Sequence, residues 1–325
     1  MVHGGDTCRS ACSRDIPRVR PPTPRVIDET EEYTSTVAGV TVEAVRVGRG
    51  LGPNIVLGVP GEQLTFTMSK VGFPMHACAR IPEDRIVAAF IHENPASSRW
   101  CGIELKPGSA LVYLPGTEHV AVNRPGLRFG FVVADVERMA EFADLSGTST
   151  GSRGPIEVAP SDATQRFGVE LNRLTRTAVA GGRYQPAGEK VLRSFAGLLT
   201  GEDGSHPRGS AAGIDSRVLV HACLEFAETT DRIPSIAEMC NVAHVSERRL
   251  RKAFTEVFDT PPTVYFRSWA LDRAHRRLRT ALQGDRCTVT DVALGLGFGH
   301  LGRFAGDYRE VYGVAPSETL VSTSG

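Results

Sequence analysis

The feature that most constrains this chain is a repeat inside its carboxy-terminal third. The stretch "SIAEMCNVAHVSERRLRKAFTEVFDTPP" (235–262) runs parallel to "TVTDVALGLGFGHLGRFAGDYREVYGVAP" (288–316): Ile236 meets Val289, Glu238 meets Asp291, Met239 meets Val292, Cys240 meets Ala293 and Val245 meets Phe298. One extra residue in the second copy then shifts the register, so that Leu250 meets Phe304, Phe254 meets Tyr308, Phe258 meets Tyr312 and Pro262 meets Pro316. Each copy reads as a short helix, a tight turn, a longer amphipathic helix and a proline stop. The pattern predicts two helix-turn-helix units, at about 235–258 and 288–312. Between them "TVYFRSWALDRAHRRLRTAL" (263–282) has apolar residues at helical spacing and reads as one connecting helix. Such a helix would hold the two longer helices about one duplex turn apart, roughly 34 Å. Its cations Arg273, Arg276, Arg277 and Arg279 are read either as phosphate contacts or as plain surface.

In the first copy Ser246 is the expected N-cap of a helix from Glu247 to Phe258. Wound at about 100° per residue, Leu250, Phe254, Val257 and Phe258 share one side, Arg248, Lys252 and Thr255 the other, and Arg249 and Arg251 the flanks. Cations near the N-terminus of an anchored helix suit the major groove, where Arg can donate two parallel bonds to guanine. A solvated basic face is the bland alternative, but it leaves the second unit unexplained. That copy turns Phe304, Tyr308, Val311 and Tyr312 inward and Gly302, Gly306 and Arg309 outward, with Arg303 beside them. Glycines read no bases, so this unit is expected to supply affinity and register through Arg303 and Arg309, with His300 as its candidate base reader. The expected base contacts are therefore Arg248, Arg251, Lys252 and His300; the expected backbone or flanking contacts are Arg249, Thr255, Arg303 and Arg309.

The rest of the chain is ordinary in composition: 325 residues, 41% hydrophobic, 23% charged, with 37 basic and 37 acidic residues, so any basic patch is local. No apolar run approaches the ~18 residues of a membrane span, and the start lacks the apolar centre of a secretory signal, so a cytoplasmic protein is expected. The seven cysteines are odd in number and form no CxxC pair, which reads as reduced thiols. Residues 1–33 read as a disordered leader. From 34 to 135 short apolar runs alternate with turn signals, as in a β-sandwich or barrel. Helical spacing follows over 136–199, the natural dimer surface or else core packing within one subunit. A Gly- and Ser-rich linker spans 200–213, and a wholly helical domain occupies 214–325. The fold class is α+β.

In its second copy, "DVALGLGFGHLGRFAGDYREVYGVAPSE", the chain resembles the AraC/XylS family of bacterial transcription regulators over roughly 214–320. The resemblance implies sequence-specific binding of double-stranded promoter DNA, with Arg248, Arg251 and Lys252 as base readers. Two residues depart from the pattern: His244 and Asp259 stand where glycine is usual, and both tolerate left-handed backbone better than most residues. The resemblance further implies a cupin-like barrel ahead of that domain, dimerisation, a small-molecule effector, and contact with RNA polymerase if the protein is an activator. In "GSALVYLPGTEHVAVN", Gly108, Gly116, His119 and Asn123 match the spacing of the second cupin motif. The first motif is missing, so neither a metal nor another cofactor is expected. Trp100, Tyr113, His119 and Phe131 are the candidate effector contacts, with core packing as the alternative. A metal-dependent cupin-type enzyme carrying a helical module, and a DNA binder without sequence preference, are the rival readings. No nucleophile elbow, phosphate loop or dinucleotide fingerprint supports catalysis.

Overall fold

The computed structural model of the chain describes residues 22–30, 32–33, 40–59, 64–143, 155–181, 185–200, 208–209, 214–281 and 287–322. Among the described residues thirteen strands form two antiparallel sheets in the amino-terminal part of the chain. The larger contains β1 (Arg25–Ile27), β3 (Asn54–Val59), β4 (Leu64–Lys70), β6 (Arg85–Glu93), β9 (Ala110–Tyr113), β11 (Arg128–Asp135), β12 (Ile156–Val158) and β13 (Arg208–Gly209), in the order β1-β3-β4-β11-β6-β9-β12-β13. The smaller is ordered β2-β5-β10-β7-β8, from β2 (Val42–Arg46), β5 (Met75–Arg80), β7 (Arg99–Trp100), β8 (Ile103–Glu104) and β10 (Glu118–Asn123). Their facing sides enclose one core, including Val56, Met75, Ala77, Ala89, Trp100, Leu111, Tyr113 and Phe129. The expected sandwich or barrel is thus a two-sheet sandwich.

Alternation dictates what lies behind it. On β11, Phe129 and Val133 face the small sheet while Val132 and Ala134 face away. The outward set is covered by α2 (Asp162–Val179) and α3 (Gln185–Thr200), which bury Phe167, Leu171, Leu174 and Phe195 against Phe66, Ala88, Phe90 and Val132. β6 is therefore buried on both faces, which accounts for its unbroken apolar run "IVAAFI". Ser161 and Thr164 close a capping box at the start of α2. The helix comes so near the sheet at Gly168 that a Cβ there would stand 2.5 Å from the Phe90 ring. A short α1 (Val136–Ala140) follows β11.

Three expectations need correction. The leader is not disordered to its end: Arg25–Ile27 pair with β3, and Ile27 is fully buried. Residues 136–199 include β12, which joins β9. Within 200–213, Thr200 closes α3 and Arg208–Gly209 pair with β12. Strands of two or three residues carry too little periodic signal to be read from sequence. Residues 1–21, and the rest of the expected linker, lie outside the described residues.

The second domain has α4 (Ile214–Thr230), α5 (Ile236–Ala243), α6 (Glu247–Phe258), α7 (Pro262–Thr280), α8 (Val289–Gly295), α9 (Leu301–Tyr312) and α10 (Pro316–Ser322). A single apolar core runs through it and takes in Val45 and Val120 from the outward face of the small sheet. The molecule is thus layered as helices, large sheet, small sheet and helical domain. Among the described residues no helix is long and apolar enough to cross a membrane.

Candidate nucleic-acid interface and sensor cavity

Each helix-turn-helix begins with a cap. Ser235 and Glu238 form a capping box on α5, and Arg232 adds two bonds to the Glu238 carboxylate (2.5 and 3.2 Å). Those bonds, with the Ser235 amide and hydroxyl, hold its pKa down at about 2. α5 ends on His244 in left-handed backbone (φ 52°), and the Val245 amide returns to the Cys240 carbonyl (3.1 Å). Ser246 then caps α6. In the second unit Thr288 caps α8, Gly297 (φ 90°) makes the turn, and α9 starts at Leu301.

α6 buries Leu250, Ala253, Phe254, Val257 and Phe258 and leaves Arg248, Arg251, Lys252 and Thr255 exposed and Arg249 half-buried. Burial of each large apolar side chain contributes about 1.5–3 kcal/mol. Repulsion among neighbouring surface cations costs a few tenths each. The stripe therefore wins, and the cations remain outside. Their states differ. Arg251 is held by Glu247 through Nε (2.8 Å) and Nη2 (2.6 Å), Lys252 lies 3.5 Å from Glu256, and Arg249 lies 3.9 Å from the same carboxylate. The Ser216 hydroxyl, with Lys252 and Arg249, depresses the Glu256 pKa. Thr255 donates back to the Arg251 carbonyl. Arg248 makes no ion pair among the described residues.

α9 buries Phe304, Tyr308 and Val311 and exposes His300, Leu301, Gly302, Arg303, Gly306 and Arg309. A Cβ at Gly302 or Gly306 would meet nothing within 4 Å, so packing does not require either glycine. Arg303 and Arg309 have no ion pair among the described residues. The arginines of α7 have acidic partners: Arg273 binds Glu228 and Asp231, Arg277 binds Asp231, Arg276 binds Asp272 and Arg279 binds Glu29. Arg273, Arg276 and Arg277 thus pair within the helical domain, while Arg279 ties it to the leader.

Beside the apolar contact of Val45 and Val120, the seam between the domains holds several polar pairs. Asp272, 2% exposed, accepts from Thr30 Oγ1 (3.0 Å), the Arg46 amide (3.3 Å) and Arg276 (2.9 Å). Burial raises its pKa against the pull of Arg276. Glu29 meets His275 Nε2 (3.0 Å), whose Nδ1 meets the Tyr308 hydroxyl (2.6 Å). Arg124 reaches Asp259 (2.7 Å), the left-handed C-cap of α6 (φ 56°). His76 stacks on Phe258 and Tyr265 at 5.0 and 5.5 Å. Glu29 and Thr30 were invisible to composition because they sit in the Pro- and Arg-rich leader.

All four candidate effector contacts come together. Trp100, Tyr113, His119 and Phe131 line one cavity of about 60 Å³ between the sheets, beside Tyr33, Asn123 and Phe129. Trp100 Nε1 donates to Asn123 Oδ1 (2.8 Å), and the Tyr113 hydroxyl meets His119 Nδ1 (2.8 Å). Desolvation drives the His119 pKa down to about 4, which leaves the ring neutral at pH 7. Gly108 (φ 83°) and Gly116 (φ 71°) make the turns flanking this strand pair. Tyr33 had no sequence signal. Among the described residues no three His, Cys, Asp or Glu side chains converge to hold a metal ion.

Two helix-turn-helix units on one connecting helix define a nucleic-acid-binding class of domain. A family model described as "Helix-turn-helix domain" matches residues 239–321. The "XylDLEGF operon transcriptional activator 2" of Pseudomonas putida is 37% identical over 93 residues, which span 29% of this chain and 59% of that protein. A "Probable thc operon regulatory protein" of Rhodococcus erythropolis is 31% identical over 105 residues, 31% of each chain. The carboxy-terminal domain is a helix-turn-helix domain similar to those of these operon regulators. The chain covers 59% of the length of the first relative and 31% of the second. Among solved structures, ToxT of Vibrio cholerae aligns over 89% of this chain and 100% of its own, at 14% identity and TM-score 0.33. The AraC-like transcriptional activator CuxR aligns over 72% and 88%, at 11% identity and TM-score 0.36.

Proposed function

We propose that this protein is a cytoplasmic, sequence-specific transcriptional regulator that binds double-stranded promoter DNA through α6 and α9. The observation that carries this reading is the repeated unit itself: two buried apolar stripes, each presenting exposed cations on its opposite face. Relatives named as an operon activator and an operon regulatory protein support it at the level of the domain. Within the interface, Arg248 is the leading base reader, because its guanidinium has no ion pair among the described residues. Arg251 and Lys252 read bases only by exchanging Glu247 and Glu256 for DNA, a small cost for exposed pairs. His300 is the base reader of the second unit, where Arg303 and Arg309 bind phosphate beside the bare Gly302 and Gly306. Arg249 and Thr255 flank the first contact.

The sandwich is the sensing domain. A small, uncharged effector in the cavity would contact Trp100, Tyr113, His119 and Phe131, and would act through the small sheet, which is packed directly on α6 and α7. Homodimerisation through α2 and α3, and contact with RNA polymerase, complete the proposal. No catalytic step is part of it. The test is to compare Arg248→Ala with Arg303→Ala across operator variants. Arg248→Ala should erase preference at one or two base pairs, worth about 1–3 kcal/mol each, whereas Arg303→Ala should weaken all sequences alike. Equal loss of preference in both variants defeats this division of labour.

A further inference from the structure

We infer that the seam between the sandwich and the helical domain contains an oxyanion-binding site centred on Arg217. This residue stands in the first turn of α4, and it is 4% exposed. Its Nη1 and Nη2 are both shielded from solvent, and among the described residues neither has a hydrogen-bond partner. The other seam arginines are provided for: Arg124 has Asp259 and two carbonyls, Arg276 has Asp272, and Arg279 has Glu29. Arg217 has instead the Cys101 thiol, a weak acceptor, and the nearby Tyr113 hydroxyl, both from the sandwich. The thiol is itself engaged, by the Val120 amide (3.4 Å) and the Glu118 carbonyl (3.6 Å), and the Glu118 carboxylate forms no ion pair with Arg217.

A buried lysine in such a place could shed its proton, but a guanidinium cannot. A charge that can neither neutralise nor reach solvent must be met by an opposite one. The flat fork of Nη1 and Nη2 fits two oxygens carried on one atom, as in a carboxylate or a phosphate. The chemistry shared by these ligands is therefore an oxyanion, either a small organic acid or inorganic phosphate. The fork belongs to the helical domain, and Cys101 and Tyr113 belong to the sandwich. An anion seated there is bound only while the two are docked, and it favours that arrangement. Tyr113 also lines the sensor cavity, so the two sites share a wall.

The experiment is thermal melting and calorimetric titration of the full chain without DNA, using sodium phosphate and, separately, sodium acetate and sodium benzoate. Sodium chloride at equal ionic strength is the control. Saturable binding of about one anion per chain is expected, with a rise in melting temperature of about 2–4 °C. The phosphate and carboxylate arms identify the source. Arg217→Met should abolish the response and should melt above the wild type in anion-free buffer, since it removes an unmet charge. Arg217→Lys should keep the fold and bind at least about tenfold more weakly, having lost the fork. No saturable response in the wild type, or an Arg217→Met protein that melts lower than the wild type in anion-free buffer, overturns the site. Because no DNA enters the assay, its failure is distinguishable from failure of the regulator reading.

Discussion

Acid should loosen the contact between the two domains, and His76 allows the effect to be calculated. The ring lies on β5, 6% exposed, stacked on Phe258 of α6 and Tyr265 of α7, and among the described residues its Nδ1 has no hydrogen-bond partner. Desolvation and the neighbouring Arg124 lower its pKa from 6.5 to about 3, with Asp259 opposing. The docked ring is thus neutral, while the ring of the unfolded chain takes up a proton below pH 6.5. Stability from this group is fully present above pH 6.5 and is lost as the pH falls from there toward 3. The linkage amounts to about 0.2 kcal/mol at pH 7 and about 1.4 kcal/mol at pH 5.5. His76→Phe keeps a stacking ring and removes the proton. Urea unfolding followed by tryptophan fluorescence at both pH values should show the wild type losing about 1.2 kcal/mol more than the variant on acidification. Trp269, buried in the same core, is the reporter. Equal losses would refute the reasoning, because they would mean that the ring is not held neutral by its burial.

His244→Gly should raise the melting temperature by about 2–4 °C, since glycine adopts φ 52° without the ~1 kcal/mol strain of a side chain. Glu238→Ala should cost about 1 kcal/mol at pH 7 by opening the α5 capping box. It should also remove the part of the acid sensitivity that develops as the pH falls from 4.5 to about 2, measured by pH-dependent melting. Phe254→Ala should cost about 3–5 kcal/mol and abolish DNA binding by releasing α6, as read by denaturant melts and gel retardation.

The helical domain was legible because its signal is dense and repeated. Leu250, Phe254 and Phe258 recur with Phe304, Tyr308 and Tyr312, and a stripe at helical spacing has one inside wherever it packs. The four cavity residues were legible as aromatics and a histidine on strands, since period-two alternation points such residues into a sandwich. Pairing between distant residues was not legible. That Arg273 and Arg277 converge on Asp231, or that Glu29 of the leader reaches His275, depends on the helix crossing and on the docking of two domains. β1 was missed for a related reason: three residues pair with an edge strand that the local sequence cannot specify. Arg217 looked like any helix cation, and only its burial distinguishes it.

The central claim is that α6 and α9 both address one duplex. Selection of binding sites from random DNA by the full chain, followed by hydroxyl-radical footprinting, tests it most directly. Two protected blocks on one face of the duplex should appear, about 10 base pairs apart, with the sharper base preference in the block lost on Arg248→Ala and with affinity falling steeply with salt. A single protected block, or binding with no enriched sequence at any salt concentration, would contradict it.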